Sequence, residues 1–215
     1  MIKEKKRPSK LIYAFIDASN LFYGGEKSLG WKIDYKKLLN YLKKRYGVSR
    51  AFYYAGVELD RFTYSVLDKN PIQLKSLLFH LRAKLKNKNL SEAKIVLLGK
   101  HIQRVKFYLN LEKFGYRLRL KPVKIFTDLE GNTTKKANCD VDMTFDLMRY
   151  INDYFGVLIL SGDGDFTVVL KYLKDMGKDV KILARGERTA REIRQLAGSE
   201  FRDFNYLREI LKYKK

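Results

Sequence analysis

Short apolar runs alternate with amphipathic segments along this chain, and that alternation restricts the fold more than any other feature. LIYAFID (11–17), RAFYYAGVE (50–58), GVLILSG (156–162) and KDVKILA (178–184) each read as a strand bounded by turn residues. Between them, YKKLLNYLKKRY (35–46), DVDMTFDLMRYIND (140–153), FTVVLKYLKDMG (166–177) and TAREIRQLAG (189–198) carry the spacing of helices with one apolar face. Strands that alternate with helices in this way predict an α/β fold with a mainly parallel sheet. Asp34 is placed as the N-cap of the first long helix and Gly47 as its stop.

The region from about 60 to 115 is read as a helical elaboration. PIQLKSLLFHLRAKLKNK and HIQRVKFYLNLEKFG look helical, the second ending at Gly115, while KIVLLG between them fits a strand or a buried helical turn equally well. YRLRLKPVKIF (116–126) is extended, with Pro122 at a bend or a sheet edge. TDLEGNTTKKAN (127–138) is polar and glycine-bearing, the composition of a mobile loop. A short extended piece, EFRDF, precedes a terminal helix. With no internal repeat and no long linker, residues 11–215 are expected to form one domain behind a basic arm at 1–10.

Charge narrows the partner. Lys and Arg number 45 against 24 Asp and Glu, a formal net charge of +21. An excess of this size on the surface points to a polyanion. The single cysteine, Cys139, excludes an intrachain disulfide and a cysteine-built zinc site, and the context reads as cytoplasmic. The apolar run after the arm is too short for a membrane segment, so no membrane partner is expected; a homodimer is compatible with everything above. His80 and His101 fall in helical stretches and read as ordinary helix residues, away from any serine–histidine–aspartate arrangement. Most aromatic rings, Phe15, Phe52 and Phe145 among them, sit on expected core faces.

Acids gather at the ends of the strands. In an open parallel sheet, functional groups collect beyond the carboxyl ends, where strand order reverses. LIYAFID ends at Asp17, and LILSGDGDF (158–166) delivers Asp163 and Asp165. Whether those two strands are neighbours is not readable from sequence. At ~100° per residue, Val141, Met143, Phe145, Leu147, Met148, Tyr150 and Ile151 cover one wide arc that includes Asp140, with Asp142 and Asp146 opposite. Taken singly, each acid can be a turn residue or an N-cap. Together, four carboxylates at one edge would repel one another unless a cation were present, and hard oxygen donors select Mg²⁺ or Mn²⁺. With a polyanion nearby, that set favours metal-assisted hydrolysis of a phosphodiester.

IDASNLF (16–22), KKANCDVDMTFDLM (135–148), LILSGDGDF and MGKDVKILA (176–184), in this order, resemble the NYN domain, the LabA-like branch of the PIN-like nuclease superfamily. The resemblance implies a Rossmann-like three-layer α/β/α sandwich with a mainly parallel central sheet, and an acidic pocket that binds Mg²⁺ or Mn²⁺ and cuts RNA, single-stranded or structured. Residue by residue, it carries the acid of the first strand to Asp17, the following polar residue to Asn20, and the later acids to Asp140, Asp163 and Asp165. Asp146 fits a recurring acid of the family, although the wheel turns it outward. Ala137, Asn138 and Cys139 stand where the family has Lys-Gly-Val.

Arg185, Arg188, Arg191 and Arg194 lie at and after a strand end, the last three at every third residue, a row that could follow a phosphate backbone. Lys135 and Lys136 precede Asp140 in the loop best placed to close over a bound strand. Two other readings compete. One is an RNA-binding or regulatory module that keeps the acids without catalysis. The other is a TOPRIM-like enzyme acting on DNA, which would want a glutamate where this chain has Asp17.

Overall fold

The computed structural model describes residues 10–67, 70–127 and 133–214. All of the basic arm but Lys10 therefore lies outside the described residues, as does the centre of the 127–138 loop. The chain begins with β1 (Ile12–Asp17), a helical turn α1 (Ala18–Asn20) that continues as a π-helical stretch over Leu21–Lys27, α2 (Tyr35–Tyr46) and β2 (Val48–Val57). Then come α3 (Leu74–Leu85), α4 (Glu92–Phe114), β3 (Arg117–Pro122), β4 (Lys124–Thr127) and β5 (Thr133–Lys136). The last third holds α5 (Asp140–Arg149), β6 (Gly156–Leu160), α6 (Thr167–Asp175), β7 (Asp179–Ala184), α7 (Arg191–Ala197), β8 (Phe201–Asp203) and α8 (Arg208–Leu211).

Six strands form the main sheet in the order β3-β2-β1-β6-β7-β8, and the pairs β1–β6, β6–β7 and β7–β8 are parallel. Helices cover both faces, which makes the architecture the expected three-layer α/β sandwich. From β1 the chain moves one way to β2 and β3, then returns to β6 and moves the other way to β8. The reversal, and so the crevice such sheets use, falls between β1 and β6. Both strands are buried on both faces: Ala14, Phe15, Ile16, Val157, Leu158 and Ile159 are all fully enclosed. Each large side chain among them contributes about 1.5–3 kcal/mol by leaving water.

The chain divides into two compact units, one made of the residues up to Tyr53 and from Asp140 onward, the other of Tyr54–Cys139. In the first, α2 starts and stops where the sequence places its ends. The Asp34 carboxylate accepts the Lys37 amide at 3.0 Å, and Gly47 closes the helix at φ 68°. In the second, the ambiguous KIVLLG is neither strand nor isolated turn. It belongs to α4, capped by Ser91 and stopped by Gly115 at φ 104°. Leu98, Ile102, Val105, Tyr108 and Leu111 continue one helical period and pack the helix inward. The turn Leu59–Phe62 puts Asp60 and Arg61 at φ 47° and 65°, unusual for residues with a side chain. Lys84 and Lys94 clamp the Asp60 carboxylate at 3.2 and 2.7 Å, and His80 and Lys84 bond its carbonyl. Thr133–Lys136, expected in a loop, forms β5 antiparallel to β4; its β-branched threonines suit a pleated strand.

One expectation about α5 is corrected. Val141, Phe145 and Met148 are 71%, 62% and 37% exposed, whereas Met143, Asp146 and Leu147 are buried. The apolar arc is wider than the face that packs on β1, so only one half of it is covered. Asp146, at the edge of the covered half, is turned inward instead of outward. Among the described residues no helix is long and apolar enough to cross a membrane.

Candidate metal centre

The register of β1 against β6 settles what the sequence leaves open. Ile16 pairs with Leu160, so Asp17 and Ser161 emerge side by side at the carboxyl ends of adjacent strands. Asp17 caps the helical turn that follows: its Oδ1 accepts the amides of Ser19 and Asn20 at 2.9 and 3.2 Å. Its Oδ2 accepts the Ser161 hydroxyl at 3.2 Å. The buried Ser161 oxygen in turn accepts the Asp163 amide at 3.3 Å, linking the first acid to the later pair. Asn20 reaches the same loop, where its Oδ1 accepts the Gly162 amide at 3.1 Å. Asp163 is also an N-cap, with Oδ1 accepting the Asp165 amide at 3.1 Å.

The glycines of SGDGDF have different duties. A Cβ on Gly162 would lie 2.5 Å from Thr189 Oγ1 and 2.8 Å from Thr189 Cα, so only hydrogen fits there. The Ala190 amide donates to the Gly162 carbonyl at 2.9 Å and locks the loop after β7 against the loop after β6. A Cβ on Gly164 would meet only Ala190 Cβ, at 3.2 Å. Thr189, buried beneath the loop with its hydroxyl donated to the Arg185 carbonyl at 2.7 Å, is the floor of this arrangement.

Three of the four expected acids converge. Asp140, Asp163 and Asp165 each offer a carboxylate oxygen, and these oxygens all lie within 4.8 Å of one another. Asp140 comes from the first turn of α5 and the other two from the loop after β6. Neither Asp163 nor Asp165 forms an ion pair with a lysine or arginine among the described residues. Three acidic groups this close, part-exposed to exposed, suit a hard cation: the donors are all oxygen and leave room for water or phosphate oxygens. Asp17 is not among the acids whose oxygens come this close together. Burial pushes its carboxyl above the usual range, and the charge of Asp163 adds to that, against the amides of Asn20 and Ser19 and the Ser161 hydroxyl, which pull it down. A positive charge at the trio would relieve the repulsion.

Ser161 and Thr189 are the residues that sequence reasoning missed. Ser161 lies inside the SGDGDF motif; nothing marks Thr189 before the fold is known. The arginine row does not form as expected. Arg185 is turned inward, paired with Glu187 at 2.5 Å and Asp203 at 3.5 Å, because the strand end it leaves is lined by acids. Arg188 belongs to a separate 3-10 turn and donates to the Tyr23 carbonyl at 3.0 Å. Arg191 and Arg194 lie on α7 and are exposed. Lys135 and Lys136 are in β5; their side chains lie outside what is described.

The profile of the NYN domain matches residues 12–98 and 79–205, well over half of the chain. The chain belongs to the NYN domain family. This NYN protein is 26% identical over 210 residues to low amplitude and bright protein LabA of Synechococcus elongatus, covering 95% of this chain and 89% of that one. Its fold is shared with the crystal structure of a protein of unknown function, VPA0982, from Vibrio parahaemolyticus, at TM-score 0.61 and 17% identity over 93% of this chain and 96% of that one. A looser likeness, TM-score 0.45 and 16% identity over 86% of this chain and 59% of the other, connects it to the T5 D15 protein co-crystallised with metal ions. That likeness is too distant to bear on activity. The NYN match also sets aside the TOPRIM alternative.

Proposed function

We propose that this NYN protein is a ribonuclease that depends on Mg²⁺ or Mn²⁺ and hydrolyses RNA phosphodiesters, single-stranded or structured. The observation that carries the reading is the trio Asp140, Asp163 and Asp165, with oxygens within 4.8 Å of one another, at the crevice where strand order reverses. The three carboxylates would hold the cation. When bound, a divalent ion supplies the Lewis acidity that activates water and offsets charge on the phosphate. Asp17, joined to the Asp163 amide through Ser161, keeps the loop in place and adds a fourth carboxylate's charge to the field that a cation would feel. Asn20 positions the Gly162 peptide, and with it the backbone that aims Asp163. The net charge of +21 supports a polyanionic substrate, with the exposed Arg188 and Arg191 as its contacts.

The test is turnover of a mixed-sequence RNA, and of the matching DNA, with Mg²⁺ or Mn²⁺ and with EDTA. RNA cleavage that EDTA abolishes, and that falls at least 100-fold in Asp163→Asn with the fold intact, is the expected result. Binding without any metal-dependent turnover would put the non-catalytic binding module in its place, and cleavage of DNA alone would remove RNA as the substrate.

A further inference from the structure

A second charged cavity lies at the other end of the sheet, where β1, β6 and β7 begin. It encloses about 480 Å³, a size that fits a small ligand. Lys10, Arg45, Lys181 and Arg202 bring positive charge to its walls, and Asp179 and Glu200 bring negative charge. Four cations less two carboxylates leave +2 around one cavity.

The charges are not distributed evenly. Lys181 holds both acids, at 3.1 Å from Asp179 and 2.6 Å from Glu200, so that side is internally satisfied. The other three cations form no ion pair among the described residues, although Arg202 lies close enough to Glu200 to help lower its carboxyl. Arg202 donates only to the backbone carbonyls of Ser199 and Phe201, and Lys10 and Arg45 form no ion pair among the described residues. Elsewhere in the chain comparable cations are engaged: Lys84 and Lys94 on Asp60, Arg104 on Glu58, Arg185 on Asp203. Arg45 and Arg202 both lie close enough to the Tyr46 phenol to act on it, so the two guanidinium groups serve the same wall of the cavity.

Two aromatic rings complete the walls. Tyr46 is braced edge-on by Tyr41, with ring centroids 5.9 Å apart. Phe155 is 40% exposed although its backbone is pinned, its amide to the Leu11 carbonyl at 2.9 Å and its carbonyl to the Asp179 amide at 3.2 Å. An exposed ring on a pinned backbone, beside guanidinium groups that form no ion pair, is a platform for a flat, electron-rich group.

We propose that this cavity binds the phosphate monoester of a nucleoside, free in solution or at the end of a strand. The phosphate lies against Arg45, Arg202 and Lys10, and the base lies on Phe155 and Tyr46. A phosphate monoester carries about −1.5 to −2 at neutral pH, which matches the surplus, and guanidinium forks suit its oxygens. The site does not depend on the nuclease reading, because the acids occupy the opposite ends of the same strands.

The test is calorimetric titration of the full chain, in EDTA and 0.15 M salt, with AMP, adenosine and inorganic phosphate. AMP is expected to bind at least 10-fold more tightly than either fragment. Arg45→Ala, on the exposed end of α2 where folding is not at stake, is expected to weaken AMP at least 10-fold. Phe155→Ala is expected to weaken AMP while leaving phosphate unchanged, and Asp163→Asn to leave AMP unchanged. A 5′-phosphorylated RNA that competes with AMP, where its 5′-hydroxyl counterpart does not, assigns the strand end as a source; failure to compete assigns the free nucleotide. AMP binding no tighter than phosphate or adenosine would overturn the proposal, as would full affinity in Arg45→Ala, or loss of binding in Asp163→Asn.

Discussion

Gly162→Ala tests whether the loop that carries Asp163 and Asp165 is built on the absence of a single methyl group. Gly162 has no positive φ, so alanine brings no backbone penalty and the change isolates sterics. The new Cβ would stand 2.5, 2.8 and 3.0 Å from Thr189 Oγ1, Cα and Cβ, and backbone is among those neighbours, so no rotamer change escapes the clash. Overpacking of this kind costs about 1–3 kcal/mol. At about 2–4 °C per kcal/mol for a chain of this size, the melting temperature should fall by about 2–12 °C. The loop must move away from Thr189, loosening the Asn20 contact at 3.1 Å and the Ala190 contact at 2.9 Å, and Asp163 moves with it. Loss of such a supporting contact typically weakens a metal site about 10- to 100-fold. Gly164→Ala is the internal control. Its Cβ meets one methyl at 3.2 Å, so the cost should stay below about 1 kcal/mol. Thermal melts and Mn²⁺ titrations of both variants decide the matter. A Gly162→Ala protein that melts and binds Mn²⁺ like the parent, or that is milder than Gly164→Ala, would refute the reasoning.

Asp60→Asn should destabilise the unit that holds it by about 1–3 kcal/mol at neutral pH, since it removes charged hydrogen bonds to Lys94 and Lys84. Burial pushes the Asp60 carboxyl up, but the two ammonium groups outweigh it and hold the group below its ordinary value of 3.8. The stabilisation is therefore complete above that value and fades as pH falls through the depressed one. Melts from pH 7 down to pH 2 should converge for parent and variant, and a constant difference would count against the clamp. On α5, Leu147→Ala should cost about 2–5 kcal/mol and Phe145→Ala under about 0.5 kcal/mol, because one is buried and the other is 62% exposed. Equal losses in urea titrations would restore the symmetric wheel.

Much of the fold was legible because local signals agreed. Asp34 and Gly47 bracket α2 to the residue, and the double-faced burial of β1 and β6 follows from runs with no polar alternation. The candidate site was legible as a set of strand-end acids, but not as an arrangement. The neighbour of β1 is a matter of topology, and only the pairing of Ile16 with Leu160 brings Asp17 to Ser161. A helical wheel knows which residues are apolar, not how much of the arc a neighbour covers, so Phe145 and Asp146 exchange expected places. Arg185 is polar and near the acids in sequence, yet Asp203, 18 residues on, claims it. Contacts between residues far apart in the chain lie beyond any reading of pattern.

Asp140, Asp163 and Asp165 are proposed to hold a catalytic divalent cation. A crystal soaked in Mn²⁺ and measured at the manganese absorption edge tests this most directly. The expected result is an anomalous peak bonded to oxygens of all three aspartates, absent from crystals of Asp163→Asn. A fully soaked crystal with no peak among the three carboxylates would rule out a cation held by them.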